Sequence, residues 1–322
     1  MKGRKMGKPD ESTKVYMSDK NVFADVFNFV LYGGNDVIRA EDLETEDISS
    51  VINIFKSAGT DSEFVSRYRD ILNSAVINRN AKATFVLLGI ENQTAVHYAM
   101  PVRNMLYDVL QYVKQVNEYT KYHRKTKDTK TKDEFLSGIT KDDKIIPVVT
   151  LVVYFGKDEW DGACKLSDMF VETDDEILKY VQDYEIMLIN PKQIEDEDFG
   201  KFSTDLGKVL KLLKYADDMK QTSALLHNPN DNWTLCREAI DVLKSCINIR
   251  INNEMNEEDG EIMRDAWDDW REDGKREGKR EGIVQIILNM YKKHFSIEQI
   301  VTATNYSEEQ IREIIGKSEV NK

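Results

Sequence analysis

Phe23, Val26, Phe27, Val30 and Leu31 recur at i, i+3, i+4, i+7 and i+8, a spacing that predicts an amphipathic helix. Gly33-Gly34 ends it, and Asp19 stands near its start, where a carboxylate caps a helix or favours its dipole. Residues 43–57 carry a weaker pattern (Ile48, Val51, Ile52, Ile54, Phe55) that fits either a short helix or a strand. Two apolar β-type runs follow over residues 64–77 and 83–93, joined by the polar turn Asn78-Arg79-Asn80. Beyond Met100-Pro101, with proline suited to a first helical turn, a long helix is predicted. Val102, Met105, Leu106, Val109, Leu110, Val113 and Val116 form its apolar stripe, and Arg103, Tyr107, Gln111 and Gln115 run along a polar edge. A basic loop then extends to residue 144.

Residues 145–155 are almost wholly apolar and rich in β-branched side chains. A run without alternation reads as a central strand covered on both faces, which implies helices on each side of a sheet. A shorter strand at 186–189 is stopped by Asn190-Pro191, and helices follow near 202–216 and 235–251. The fold class is therefore α/β with a helical end. From Asn252 the composition turns acidic and charged. The repeat Gly274-Lys275-Arg276-Glu277-Gly278-Lys279-Arg280-Glu281-Gly282 puts glycines on one helical face, open to a second helix. Two short helices close the chain, opening on Ser296 and Ser307 as caps. The organisation expected is a flexible N-terminal arm (1–18), an α/β domain (19–252) and a charged linker with a helical tail (253–322), the tail being the route to a homo-oligomer.

Charge narrows the partners. A net charge of −13 argues against a nucleic-acid binder whose whole surface is basic. Locally the sign reverses: Lys121, Arg124, Lys125, Lys127, Lys130 and Lys132 face one acid, Asp128. Such a segment either is a solvated loop or makes sequence-independent contacts with DNA phosphates. Cys164, Cys236 and Cys246 are odd in number and lack metal-ligand spacing, which points to a reducing compartment without structural zinc. No apolar run approaches 18 residues and none has the form of a signal peptide, so a cytoplasmic protein with no membrane partner is expected.

The chemistry centres on the strand pair. Glu91 and Gln93 share a strand face, and Asp70, at the start of the first apolar pair Ile71-Leu72, would meet Glu91 at the open end of the hairpin. Two carboxylates there suit a hard divalent cation, since Mg²⁺ uses only one or two protein carboxylates besides water and phosphate.

Tyr68-Arg69-Asp70-Ile71-Leu72, the strand end Ile90-Glu91-Asn92-Gln93-Thr94 and the helix start Met100-Pro101-Val102-Arg103-Asn104-Met105-Leu106-Tyr107-Asp108 resemble the recombination-promoting nucleases. These are bacterial transposase-like proteins of the PD-(D/E)XK nuclease superfamily. Val22-Phe23-Ala24-Asp25-Val26-Phe27-Asn28, the central strand followed by Glu159-Trp160-Asp161-Gly162, and the Gly-Lys-Arg-Glu tail extend the resemblance over nearly the whole chain from Asp19 onward. It implies a restriction-endonuclease-like fold, a mixed central sheet flanked by helices, and a Mg²⁺-dependent DNA endonuclease of little sequence preference. Asp70 and Glu91 would hold Mg²⁺, or Mn²⁺ in its place, together with the main-chain carbonyl of Asn92. Gln93 falls where the wider superfamily has lysine, and it orients a water without supplying charge. Arg103 and Gln111 would reach phosphate, joined by Lys121, Arg124, Lys125 and Lys127 of the basic segment. An acid of the first helix, Asp19 or Asp25, would complete the site. The acidic balance and Gln93 favour a different outcome, a non-catalytic DNA-binding scaffold that oligomerises through its tail.

Overall fold

A computed structural model describes residues 8–46, 70–79, 82–172, 174–228, 231, 233–247 and 261–320. They fall into two compact units, one ending with the described residues near 247 and 261 and one beginning at Ile262. The first unit is built on a five-stranded mixed sheet, ordered β1 (Leu43–Thr45), β2 (Ile71–Arg79), β3 (Lys82–Gln93), β4 (Val148–Tyr154) and β5 (Met187–Ile189). The β1–β2 and β2–β3 pairs are antiparallel, and β3–β4 and β4–β5 are parallel. From Thr150 onward every residue of β4 is buried, as an unbroken apolar strand requires when both sheet faces are covered. Residues 43–57 resolve in part: Leu43–Thr45 is a strand, whereas 47–57 and the expected strand start at 64–69 lie outside the described residues.

One face is covered by α1 (Lys8–Met17), α2 (Lys20–Tyr32), α6 (Leu206–Lys214) and α8 (Arg237–Ile247), which contact one another and reach β3 through α1. Residues 1–18 are thus not all a flexible arm. From Lys8 they form a helix that buries Thr13, Tyr16 and Met17, with the Tyr16 hydroxyl donating to Asp205 at 2.5 Å. Gly33 closes α2 at φ +62°, a left-handed conformation that favours glycine. Asp19 caps α2, accepting from the N–H groups of Asn21 and Val22. Asp25 is buried and accepts four hydrogen bonds of 2.5–2.9 Å from the N–H and hydroxyl groups of Ser203 and Thr204. Both acids are committed to holding the fold.

The other face is covered by α3 (Met100–Thr126), which is longer than expected and presents a different side. The basic segment does not begin as a loop: α3 runs on through Lys121, Arg124 and Lys125, and the short α4 (Lys132–Ser137) follows. Lysine and arginine are good helix formers, so their charge gave no stop signal. The polar edge turns inward. Asn104, Tyr107, Asp108 and Gln111 are buried with Leu110, while Val109 and Val113 of the apolar stripe are exposed. Hydrogen bonds explain the inversion. Asp108 accepts from the Thr150 hydroxyl and from the Tyr184 hydroxyl, both at 2.6 Å. Val148 N–H donates to the Tyr112 hydroxyl, Gln115 exchanges two bonds with the backbone of Ile146, and the Tyr119 hydroxyl donates to Lys144 O. The helix is stitched, residue by residue, along β4 and the chain leading into it.

His123 finishes the stitching. Its Nδ1 lies 2.6 Å from Asp128 and its Nε2 2.9 Å from Asp143. An imidazole meets two carboxylates with two donors only when doubly protonated. The hydrogen bonds to Asp128 and Asp143 raise its pKa above the usual 6.5, and the same pairing lowers the Asp128 carboxyl. Because the folded-state pKa of His123 is raised, the stability it adds is complete below about pH 6.5 and is lost as pH rises through the higher folded value.

The second unit holds α9 (Met263–Lys292), α10 (Ile297–Thr304) and α11 (Glu308–Val320) around a cluster of Ile287, Ile300, Ile311 and Ile315. Ser296 caps α10 in a box with Gln299, and Ser307 exchanges the equivalent bonds with Gln310. Added Cβ atoms at Gly278 and Gly282 would meet nothing within 4 Å.

Two outcomes are expected. Asp25→Ala should lower the unfolding free energy by about 3 kcal/mol in urea titrations, because four donors lose a charged acceptor. His123→Gln should cost stability at pH 6 and little at high pH, so a gap in melting temperature from wild type that stays constant with pH would contradict the doubly protonated clip.

Candidate active site

β3 ends on Glu91-Asn92-Gln93, and its period of two sends Glu91 and Gln93 to the α3 side and Asn92 to the α1 side. Ile71 pairs with Ile90 across the hairpin, so the next step sets Asp70 opposite Glu91. Backbone parity shows what Asp70 does there. Leu87 N–H donates to Pro147 O, and Phe155 N–H to Gln93 O, so odd-numbered residues of β3 turn their backbone groups toward β4. Asn92 therefore turns its N–H and carbonyl toward β2, and its N–H donates to Asp70 Oδ2 at 2.8 Å. A side-chain carboxylate closes the ladder where the β2 backbone stops. Burial pushes the Asp70 carboxyl above the usual carboxylate range; the Asn92 N–H, Lys14 and Arg103 oppose the shift, and Asp10 adds to it.

Glu91 is fully buried beneath the first turns of α3. Its β4 neighbour is Val152, which packs with Met100 and Ile186 and keeps this floor dry. Arg103 Nη2 lies 2.9 Å from Glu91 Oε2, and Arg103 Nε donates to the Tyr107 hydroxyl at 3.1 Å. Burial, then the Glu91 charge, pushes the Tyr107 phenol up to about 12, against the pull of Arg103. Gln93 is buried on the same face as Glu91. On the opposite face the Asn92 side chain is also buried, and neither its Nδ2 nor its Oδ1 has a hydrogen-bond partner among the described residues. Beside it the Thr94 hydroxyl donates to Asp10 of α1.

Of the residues singled out from sequence, Asp70, Glu91, Asn92, Gln93 and Arg103 come together at the end of the hairpin. Gln111 does not reach a surface: it is 4% exposed, inside the contact between α3 and the sheet. Lys121, Arg124, Lys125 and Lys127 are exposed at the far end of α3, away from these residues. Asp19 and Asp25 are spent as a cap and a loop anchor. The first-helix residues whose charge reaches Asp70 are Asp10 and Lys14. Their signal was Pro9 followed by Asp10-Glu11, proline then acids as at a helix N-terminus.

Among the described residues no group of three or more His, Cys, Asp or Glu side chains is arranged to hold a metal. The donors for a small cation reduce to the carboxylates of Asp70 and Glu91 and the Asn92 carbonyl. These are hard oxygens, few in number, which suits an ion that keeps most of its water. Burial pushes the Cys236 thiol up to about 12 and that of Cys246 to about 11, so neither is a ready nucleophile. No helix among the described residues is long and apolar enough to cross a membrane.

A mixed five-stranded sheet flanked by helices is the fold that the nuclease resemblance implies. Over residues 10–237, well beyond half its length, the chain matches the family described as "Putative transposase, YhgA-like", and it belongs to that family. No curated protein and no solved structure gives a significant match.

The buried pair makes its own prediction. Arg103→Met removes a counter-charge from buried Glu91 and should cost about 3–5 kcal/mol of stability, much of it restored in the Arg103→Met/Glu91→Gln double variant. Strictly additive losses in a double-mutant cycle would show that the two side chains are not coupled.

Proposed function

We propose that this member of the family is a Mg²⁺-dependent DNA endonuclease of low sequence preference. The observation that carries the reading is the placement of Asp70 opposite Glu91, with the carbonyl of Asn92 turned to the same side. Asp70, Glu91 and that carbonyl would hold the ion, which when bound supplies an acidified water and neutralises charge on the scissile phosphate. Arg103 offers a guanidinium already at the Glu91 carboxylate, a group suited to phosphate oxygens. Gln93 orients a water by hydrogen bonding and does not titrate, so the proton of that water has to pass to another acceptor. Lys121, Arg124, Lys125 and Lys127 add contacts to the sugar-phosphate backbone that carry no sequence information.

One observation favours a second reading. Arg103 already neutralises Glu91, and a site satisfied in this way belongs equally to a non-catalytic DNA-binding scaffold that oligomerises through the open glycine face of α9. Supercoiled plasmid with Mg²⁺ or Mn²⁺ separates the two. The nuclease reading expects nicking by wild type and a loss of at least about 100-fold in Asp70→Asn and Glu91→Gln. Equal activity in all three would remove these residues from catalysis. No cleavage with either ion, together with an oligomer that dissociates when residues 253–322 are deleted, would establish the scaffold.

A further inference from the structure

The layer opposite α3 brings a cation of its own to the candidate site. α1 lies against the end of β3, where its Asp10 accepts the Thr94 hydroxyl. At about 100° per residue, Lys14 leaves the helix roughly 40° from Asp10 and 60° from Met17, which is fully buried. Ser12, about 160° away from Lys14, shares a hydrogen bond of 2.6 Å with Ser245 of α8. Lys14 therefore stands on the side of α1 that meets the strand end, away from α8, and it is half-buried there. The Asn92 side chain lies on the same face of β3, 7% exposed, and neither its amide nitrogen nor its oxygen has a hydrogen-bond partner among the described residues.

Charge makes this position matter. Burial raises the Asp70 carboxyl, and of the two cations that oppose the rise Lys14 acts more strongly than Arg103. Arg103 is engaged by Glu91 at 2.9 Å and by the Tyr107 hydroxyl. Lys14 forms no ion pair with a described residue. The acids on its own helix do not claim it: Asp10, one turn back, is held by Thr94, and Glu11 is exposed. Gln93 brings no charge. Lys14 is thus the cation left over for an anion arriving at Asp70. Hydrolysis of a phosphodiester builds negative charge on the phosphate oxygens as water adds and the leaving oxygen departs. A cation fixed in advance at a partly dry site counters that charge more effectively than one in water. The lysine ammonium is a compact charge with three donors, so its part is electrostatic and involves no proton transfer.

We propose that Lys14 reaches from α1 to hold the scissile phosphate at Asp70, with the side-chain amide of Asn92 beside it. This rests on the nuclease reading above and adds to it a catalytic residue from the first helix. Full-length Lys14→Gln, assayed on supercoiled plasmid with Mg²⁺, tests it. Turnover should fall about 100-fold, as when one fixed charge or donor is removed from a transition state, with the KM for plasmid nearly unchanged. The melting temperature should stay close to that of wild type, because a half-buried lysine without an ion pair adds little to the fold. Lys14→Arg should keep most of the turnover. Lys14→Cys should be as slow as Lys14→Gln and recover about tenfold or more after alkylation with 2-bromoethylamine, which rebuilds an ammonium at nearly the length of lysine. Iodoacetamide, which leaves a neutral amide, should restore nothing. Wild type treated with each reagent controls for Cys164, Cys236 and Cys246. Calorimetry with Mn²⁺ and no DNA should show binding to Lys14→Gln at least as tight as to wild type, because a like charge has been taken from beside Asp70. Full turnover in Lys14→Gln, recovery with iodoacetamide, or loss of Mn²⁺ binding along with cleavage would each overturn the proposal, while nicking by wild type still upheld the nuclease reading. Wild type that does not nick would remove the nuclease reading and this one with it.

Discussion

A carboxylate with no exposure to water dictates much of this fold. Glu91 sits at the end of a central strand under the first turns of α3, where an unpaired charge would cost several kcal/mol. Arg103 meets that cost, and to do so α3 has to begin within one turn of the loop leaving β3. The helix is then obliged to run back along β4. The polar bonds from Asp108, Tyr112, Gln115 and Tyr119 to residues 144–150 fix its position along the strand. A greasy contact alone would allow a helix to slide or rotate on a flat sheet; directional bonds do not.

The opposite face is held by different means. There α2 is anchored through Asp25 to the Ser203-Thr204 turn, and Tyr16 through Asp205 to the start of α6. Each joins residues far apart in sequence. Asp25, a candidate for the site from sequence, and Asp205 thus serve as fixed points between the N-terminal helices and the last third of the unit. Asp10 and Lys14 approach Asp70 only because that packing holds α1 against the sheet.

The hairpin, the covered strand and the acids were legible in the sequence because strand alternation and β-branched runs are strong, local signals. The pairing of Asp70 with Glu91 followed from the alternation of faces, and the family match to residues 10–237 agrees with the motifs that suggested it. What escaped is physical in each case. The helix α1 buries too few apolar side chains to show a period. In α3 part of the hydrophobic stripe, Val109 and Val113, is exposed while Asn104, Asp108 and Gln111 are buried, because burial there also depends on partners on β4 and the 184 segment that periodicity does not see. Lys121 to Lys125 looked like loop because charge was read as solvation, although those residue types favour a helix. The short α7 (Met219–Leu226) went unnoticed, being too brief for a pattern and relying on the Asp218 cap.

The glycines of α9 bear on how order is distributed along a 30-residue helix. One end is fastened by Ile283, Ile287 and Met290 in the isoleucine cluster, whereas a Cβ added at Gly278 or Gly282 would meet no described residue within 4 Å. Each glycine weakens the helix by about 1 kcal/mol relative to alanine. Amide protection should therefore decline from the cluster toward Met263, so that this element behaves as a rod whose stiffness is supplied from one end.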